Sequence, residues 1–265
     1  MDGNQTTTNA QGDQVRTRDK VAIGWIDGGT VDGDFAAHLF QLATVRHQRI
    51  DILVRIEGHL LSRQRNELVA AFLRLSSADW LLMLDTDHRF TPVDFDNLCS
   101  SVHDVSAPVV SGLYFGSFPS GGLYPTAVPI AFSLDPNGVD YHALNAWTPG
   151  KMISVDAVGG GCILIHRSVL EKIRDNAAED VKDWCWFMDG PANGRWYSED
   201  MVFCQRVRDA GFPIYVNPDV TLPHLKTYWL TVEHFAAQKK AAIEVETAAF
   251  SAPIRAIPDI ETRTV

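Results

Sequence analysis

Residues Ala78–Pro92 read ADWLLMLDTDHRFTP. Trp80–Leu84 is an unbroken apolar run, the pattern of a strand covered on both faces. Asp85, Thr86 and Asp87 follow directly, then His88 and Arg89. A buried strand ending in two carboxylates presents them at the carboxyl edge of a sheet, where open α/β sheets hold ligands. Carboxylates at i and i+2 suit a hard divalent cation bound together with a polyphosphate. A polar turn that merely closes a core strand would read the same way.

The segments around it supply an α/β alternation. Val21–Ile26 reads as a first strand closed by the turn Asp27-Gly28-Gly29-Thr30. Phe35–His47 carries Phe35, Leu39, Leu42 and Val45 near helical spacing, and Ile50–Ile56 reads as a second strand. Strand, helix, strand at the start predicts a parallel sheet. Leu60–Leu75 is the next helix, with Ser62 as its expected cap and Leu68, Phe72 and Leu75 as its buried stripe. Arg63, Arg65 and Asn66 fall in its first turn. Cations are disfavoured there by the helix dipole, so the arginines point to an anionic partner or are solvated surface groups.

Beyond the opening stretch, Pro92 begins a helix with Asp94 in its first turn and Leu98 and Val102 inward. Val105–Leu113 and Ala127–Ser133 read as strands, separated by a Gly/Ser/Pro/aromatic loop over Gly116–Tyr124. Val155–Ile165 (VDAVGGGCILI) holds Asp156, three glycines and a strand from Cys162. Consecutive glycines permit close approach by a ligand or by neighbouring backbone. Arg167–Arg174 is a helix capped near Ser168, and Trp184–Tyr197 a second aromatic loop. Ser198 is the expected cap of a helix with Glu199 and Asp200 at its start, ended by Gly211. Ile214–Val216 is a short strand before the turn Asn217-Pro218-Asp219, and His224 follows in LPHLK.

A chain of 265 residues fits one large domain with small additions. The expected organisation is a disordered tail over 1–18, a catalytic domain over 19–230, a helix over 231–250 packed on it, and a flexible tail over 251–265. The formal charge of -10 argues against a non-specific nucleic-acid binder. Four cysteines without a CxxC pair argue against a zinc module. The N-terminus lacks an apolar h-region, and no apolar run reaches membrane-spanning length. A soluble, cytoplasmic chain is expected.

Asp85, Asp87, Glu199, Asp200 and His224 each follow a strand or open a helix, positions that converge at one end of an α/β sheet. Two carboxylates and an imidazole can bind Mn²⁺ or Mg²⁺, with a diphosphate completing the shell. A separate carboxylate, Glu199 or Asp200, could deprotonate an acceptor hydroxyl.

Four blocks, in order, resemble the family-2-like nucleotide-diphosphate-sugar glycosyltransferases of GT-A fold found in bacterial and phage genomes. They are RQRNELV at Arg63–Val69, DWLLMLDTDHRFTP at Asp79–Pro92, VGGGCILIHRSVLEKI at Val158–Ile173, and SEDMVFCQRVRDAGFPIYVNPDVTLPHLK at Ser198–Lys226. The resemblance implies a GT-A-like, Rossmann-like three-layer fold around a mostly parallel central sheet, in host cytoplasm if phage-encoded. It implies metal ligands at Asp87 and His224, with Asp85 on the metal or the nucleotide. It implies Arg63, Arg65, Asn66 and Asp27 toward the nucleotide diphosphate, and Asp156 and Gly160 beside the donor sugar. Asp200 would be the base of an inverting enzyme, with Glu199 as the alternative; retaining relatives share the site. The aromatic loops Tyr114–Tyr124 and Trp184–Trp196 would cover an acceptor glycan, protein or other hydroxyl-bearing molecule. Two other readings remain: a nucleotidyltransferase acting on a sugar phosphate, and an inactive carbohydrate-binding relative.

Overall fold

A computed structural model describes residues 6–8, 14–16, 20–102, 106–119, 123–192 and 194–240. The chain forms two units: Met1–Phe118 with Ala127–Lys226, and Pro119–Thr126 with Thr227–Val265. The first holds a seven-stranded sheet: β1 (Val21–Asp27), β2 (Ile50–Glu57), β3 (Trp80–Asp85), β4 (Val109–Leu113), β5 (Ile153–Val155), β6 (Cys162–His166) and β7 (Ile214–Thr221). Their spatial order is β5-β7-β4-β6-β3-β1-β2.

β3 is buried along its apolar run because both its faces are covered. Leu81 and Met83 enter one core with Leu68 and Phe72 of α2 (Leu61–Leu75), Val169 and Ile173 of α4 (Arg167–Asn176), and Phe203 and Val207 of α5 (Glu199–Asp209). Trp80, Leu82 and Leu84 enter the other with Phe35 and Leu42 of α1 (Gly33–Val45) and Phe95 and Leu98 of α3 (Pro92–Ser100). Helices on both faces of one sheet make an α/β fold with three layers.

The sheet is mixed, which corrects the expectation of a mostly parallel one. β1 pairs parallel with β2 and β3, and β4 with β7. β6, however, lies antiparallel between β3 and β4, and β5 is antiparallel to β7. The cause lies in the connection. Parallel neighbours need a long crossover, usually a helix. β6 is instead preceded by a small antiparallel sheet of Ala131–Leu134, Tyr141–Ala143 and Ala157–Val158.

Local differences have equally local causes. Ser62 lies inside α2, whose cap position is Leu60 with no side-chain bond. Ser198 occupies the cap position of α5, but its hydroxyl donates to the Asp200 carboxylate. His166, not Ser168, caps α4, accepting from the Ser168 N–H. α3 begins at Pro92 as expected, inside a reciprocal Thr91–Asp94 capping box. β7 continues through Asn217-Pro218-Asp219 because its register shifts there, and proline is tolerated at such a bulge. The Ala127–Ser133 segment divides into Thr126–Pro129 and Ala131–Leu134.

Thr6–Thr8 pairs with Gln14–Arg16 within the expected disordered tail, whose other residues up to 18 lie outside the described ones. In the second unit, a helix covers 232–240, and the rings of Tyr124, Tyr228 and His234 pack within 5.1–6.2 Å of one another. The remainder of the expected last helix, and the tail over 251–265, lie outside the described residues. No helix among the described residues is long and apolar enough to cross a membrane.

Candidate metal centre

At the carboxyl end of β3 the chain turns, with the His88 N–H donating to the Asp85 carbonyl at 3.3 Å. The segment after β7 then straps the turn. The Arg89 N–H donates to the Pro223 carbonyl at 3.1 Å, and the Leu225 N–H to the Asp87 carbonyl at 2.8 Å. The resulting bridge sets His88 opposite His224, and their rings stack 4.1 Å apart at 18°.

Asp87, His88 and His224 thereby offer three ligand atoms within 4.8 Å of one another. Asp87 Oδ2 lies 3.0 Å from His224 Nε2 and 3.0 Å from Lys226 Nζ. Asp87 Oδ1 lies 3.3 Å from His88 Nδ1, outside hydrogen-bond geometry. Burial opposes ionisation of Asp87, but contacts from His224, His88 and Lys226 outweigh it and hold the carboxyl well below the usual carboxylate range.

Two observations fit this donor set to a divalent cation. His88 is 2% exposed, and neither of its ring nitrogens has a hydrogen-bond partner. Buried polar atoms are rarely left so. His224 Nδ1 donates to the Phe115 carbonyl at 2.8 Å. His224 Nε2 then faces the Asp87 carboxylate oxygen at 3.0 Å, a contact that either a proton on Nε2 or a bound cation satisfies. Fixing one ring nitrogen on a carbonyl is how proteins orient an imidazole toward a metal.

Beside this cluster sits a buried guanidinium. Arg65 is 2% exposed; its Nη2 donates to Asp85 at 3.1 and 3.3 Å, and its Nε lies 3.3 Å from Glu199 Oε1. Burial disfavours the Arg65 charge, but Asp85, Glu199 and Asp200 outweigh it and raise its pKa. Burial raises the pKa of Glu199 against the pull of Arg65. Asp200 is half-buried; its Oδ1 accepts from the Ser198 hydroxyl and from the Met201 N–H at 2.8 Å.

Gly159–Gly161 makes room for these side chains. A Cβ at Gly160 would lie 1.3 Å from Arg65 Nη1; one at Gly161, 2.6 Å from His88 Cε1; one at Gly159, 2.2 Å from the Tyr114 hydroxyl. Tyr114 stands edge-on to both imidazoles, at 4.6 and 5.5 Å, and accepts from the Gly161 N–H at 3.0 Å. Burial pushes its phenol well above the ordinary value, so it stays protonated. Gly160→Ala is expected to expel the guanidinium and leave the buried Glu199 and the half-buried Asp85 unpaired. The expected cost is about 3 kcal/mol, read as a lower urea midpoint; an unchanged midpoint would refute the steric reading.

The remaining sequence-derived positions scatter. Arg63 is exposed and pairs with Glu67 at 2.8 Å. Asn66 clamps the second aromatic loop, accepting from the Trp186 and Phe187 N–H groups at 3.1 and 3.0 Å. Asp27 is bound by Arg55 through two hydrogen bonds of 2.7 Å, which hold its carboxyl below the ordinary range. Asp156 accepts from the Leu134 N–H at 2.7 Å and faces Arg208 at 3.6 Å. Asp85 lies on Arg65 rather than in the three-residue cluster, where His88 stands instead. His88 and Lys226 are the residues that sequence reading did not single out; His88 had a signal, its place directly after the acid pair, and Lys226 stands two residues past His224. Tyr114, expected at the start of a loop covering the acceptor, is instead buried against the two imidazoles.

No protein-family model matches the chain, and no curated protein sequence does. Among solved structures it is similar to A197 from STIV, at 18% identity and a TM-score of 0.48, over 78% of this chain and 86% of that one. It is also similar to GalNAc-T7 with UDP, GalNAc and Mn²⁺, at 10% identity and a TM-score of 0.47, over 79% of this chain and 43% of that one. The chain thus spans less than half the length of the second protein.

Proposed function

We propose that this chain is a metal-dependent glycosyltransferase of GT-A type, moving a sugar from a nucleotide-diphosphate donor to an acceptor hydroxyl. The observation that carries the reading is the Asp87–His88–His224 cluster at the carboxyl end of β3, with Arg65, Glu199 and Asp200 beside it. Two imidazoles beside one carboxylate favour Mn²⁺ over Mg²⁺, which prefers oxygen ligands. The bound ion would neutralise charge developing on the diphosphate leaving group.

The protein's own groups divide the remaining work. Arg65 holds Asp85 and Glu199 in place, and its charge offsets theirs next to an anionic donor. Glu199 is buried against that guanidinium, which leaves Asp200 as the carboxylate that can meet an acceptor. As the acceptor oxygen bonds to the sugar carbon and the sugar–phosphate bond breaks, Asp200 takes the hydroxyl proton and the nucleoside diphosphate leaves. Trp196, 73% exposed on the hairpin of Gly190–Ala192 and Arg195–Tyr197, offers a face for a sugar acceptor.

Lys226 has the opposite sign of effect. Its ammonium lies on the Asp87 oxygen that an incoming cation would use. Lys226→Ala is expected to tighten Mn²⁺ binding two- to fivefold, roughly the worth of a half-exposed ion pair. Weaker binding in calorimetry would show that the ammonium does not compete.

The deciding experiment is calorimetry with UDP-, GDP-, CDP- and dTDP-sugars, with and without Mn²⁺. One donor should bind, and only with the ion. Binding indifferent to Mn²⁺ would sink the reading, and release of pyrophosphate in place of nucleoside diphosphate would make the protein a nucleotidyltransferase.

A further inference from the structure

A second concave site lies along α2, away from the metal centre. Arg65 and Arg74 share this helix nine residues apart, which separates them by about 14 Å along its axis. Around Arg74 the surface sinks into a hollow of about 520 Å³, within the size range of small-molecule sites. Ala70 and Ala71 line it with side chains too small to fill it.

The charges around the hollow are unbalanced. The side chains of Arg74 and Arg174 have no hydrogen-bond or ion-pair partner among the described residues, and both line the space. Glu67 also lines it, but is neutralised by Arg63. Asp183 is the one lining carboxylate without a partner among the described residues. Two unpaired guanidinium groups thus face one free carboxylate, on a chain of net charge -10. Both arginines sit in the last turn of a helix, where they offset the dipole. That role leaves their N–H donors unused.

Trp184 adds an indole ring, with the Arg63 guanidinium lying over it 6.0 Å from the ring centroid. Its side chain is 44% exposed in the hollow, while Trp186 behind it is fully buried and anchored by Nε1 donating to the Leu170 carbonyl at 2.8 Å. Guanidinium forks match phosphate oxygens in pairs, and an indole face stacks on a base or on the apolar face of a sugar.

We propose that this hollow binds a phosphate monoester carried on a ring, with Arg74 and Arg174 on the phosphate and Trp184 on the ring. Two sources share that chemistry, a nucleoside monophosphate and a sugar monophosphate. The site does not depend on the metal centre.

The test is calorimetry and tryptophan fluorescence on the full chain in EDTA, so that a divalent cation cannot recruit ligand to the other site. The probes are UMP, glucose 6-phosphate and inorganic phosphate. One of the first two should bind saturably, and Arg74→Ala with Arg174→Ala should weaken it at least tenfold, whereas His224→Ala should not. Preference for UMP assigns the nucleotide, and preference for glucose 6-phosphate the sugar phosphate. Should the double variant fold poorly, Arg74→Ala alone, at an exposed position, should still weaken binding several-fold. No saturable binding, or binding that survives loss of the arginines, overturns the proposal. Inorganic phosphate binding as tightly as both ring compounds overturns the role of Trp184.

Discussion

Asp87→Ala should lose divalent-cation binding by more than about 100-fold, beyond the range seen for groups that merely support a metal ligand. Donor turnover should fall by about a thousandfold, since the ion would carry the charge of the departing diphosphate. Asp87 is the hub of its cluster. Its two oxygens face His88 and His224 separately, so no neighbouring carboxylate can replace it. Asp85 is held by the buried Arg65 and is not free to swing across. The side chain stands beyond the end of β3 and is partly exposed, so the fold should survive. Calorimetry with Mn²⁺ and a thermal melt on the same sample separate the two outcomes. Turnover that persists with normal Mn²⁺ dependence would remove Asp87 from the metal.

Asp200→Asn should give the second large effect, a fall in transfer of about 10²- to 10⁴-fold, the usual worth of a positioned base. Donor affinity should stay unchanged. The substitution is close to isosteric, and the amide oxygen can still accept from the Ser198 hydroxyl and the Met201 N–H. What disappears is basicity. Glu199→Gln makes the informative contrast. It removes a buried charge from Arg65, so its first consequence should be lost stability. If Asp200→Asn weakens donor binding in step with turnover, Asp200 acts on the bound ground state and the base lies elsewhere.

What could be read from the letters alone follows from how local each cause is. β3 was legible because cover on both faces leaves a continuous apolar run. The start of α3 was legible because Thr91, Pro92 and Asp94 settle it among themselves. The direction of β6 was not, since Cys162–Ile165 reads identically whichever way the strand runs; only the meander before it turns the strand round. Arg63, Arg65 and Asn66 looked like one anion-binding turn. Successive helix positions rotate by about 100°, and the three side chains go to solvent, to buried carboxylates and to the backbone of a distant loop. The three glycines suggested close approach. What approaches is Arg65, Tyr114 and His88, and no feature of the glycine run names them. His88 itself depends on pairing with His224, a contact that exists only in three dimensions.

The strap that joins Asp87 to His224 closes a separation of 137 residues. Such a loop carries a high closure entropy and belongs to contacts made late in folding. A cation held there would reward the chain only after β7 has docked. Mn²⁺ should therefore leave the refolding rate nearly unchanged and slow unfolding, since stabilisation absent from the transition state appears in the unfolding limb. The ion would act as a latch on the finished molecule and take no part as a nucleus in its assembly.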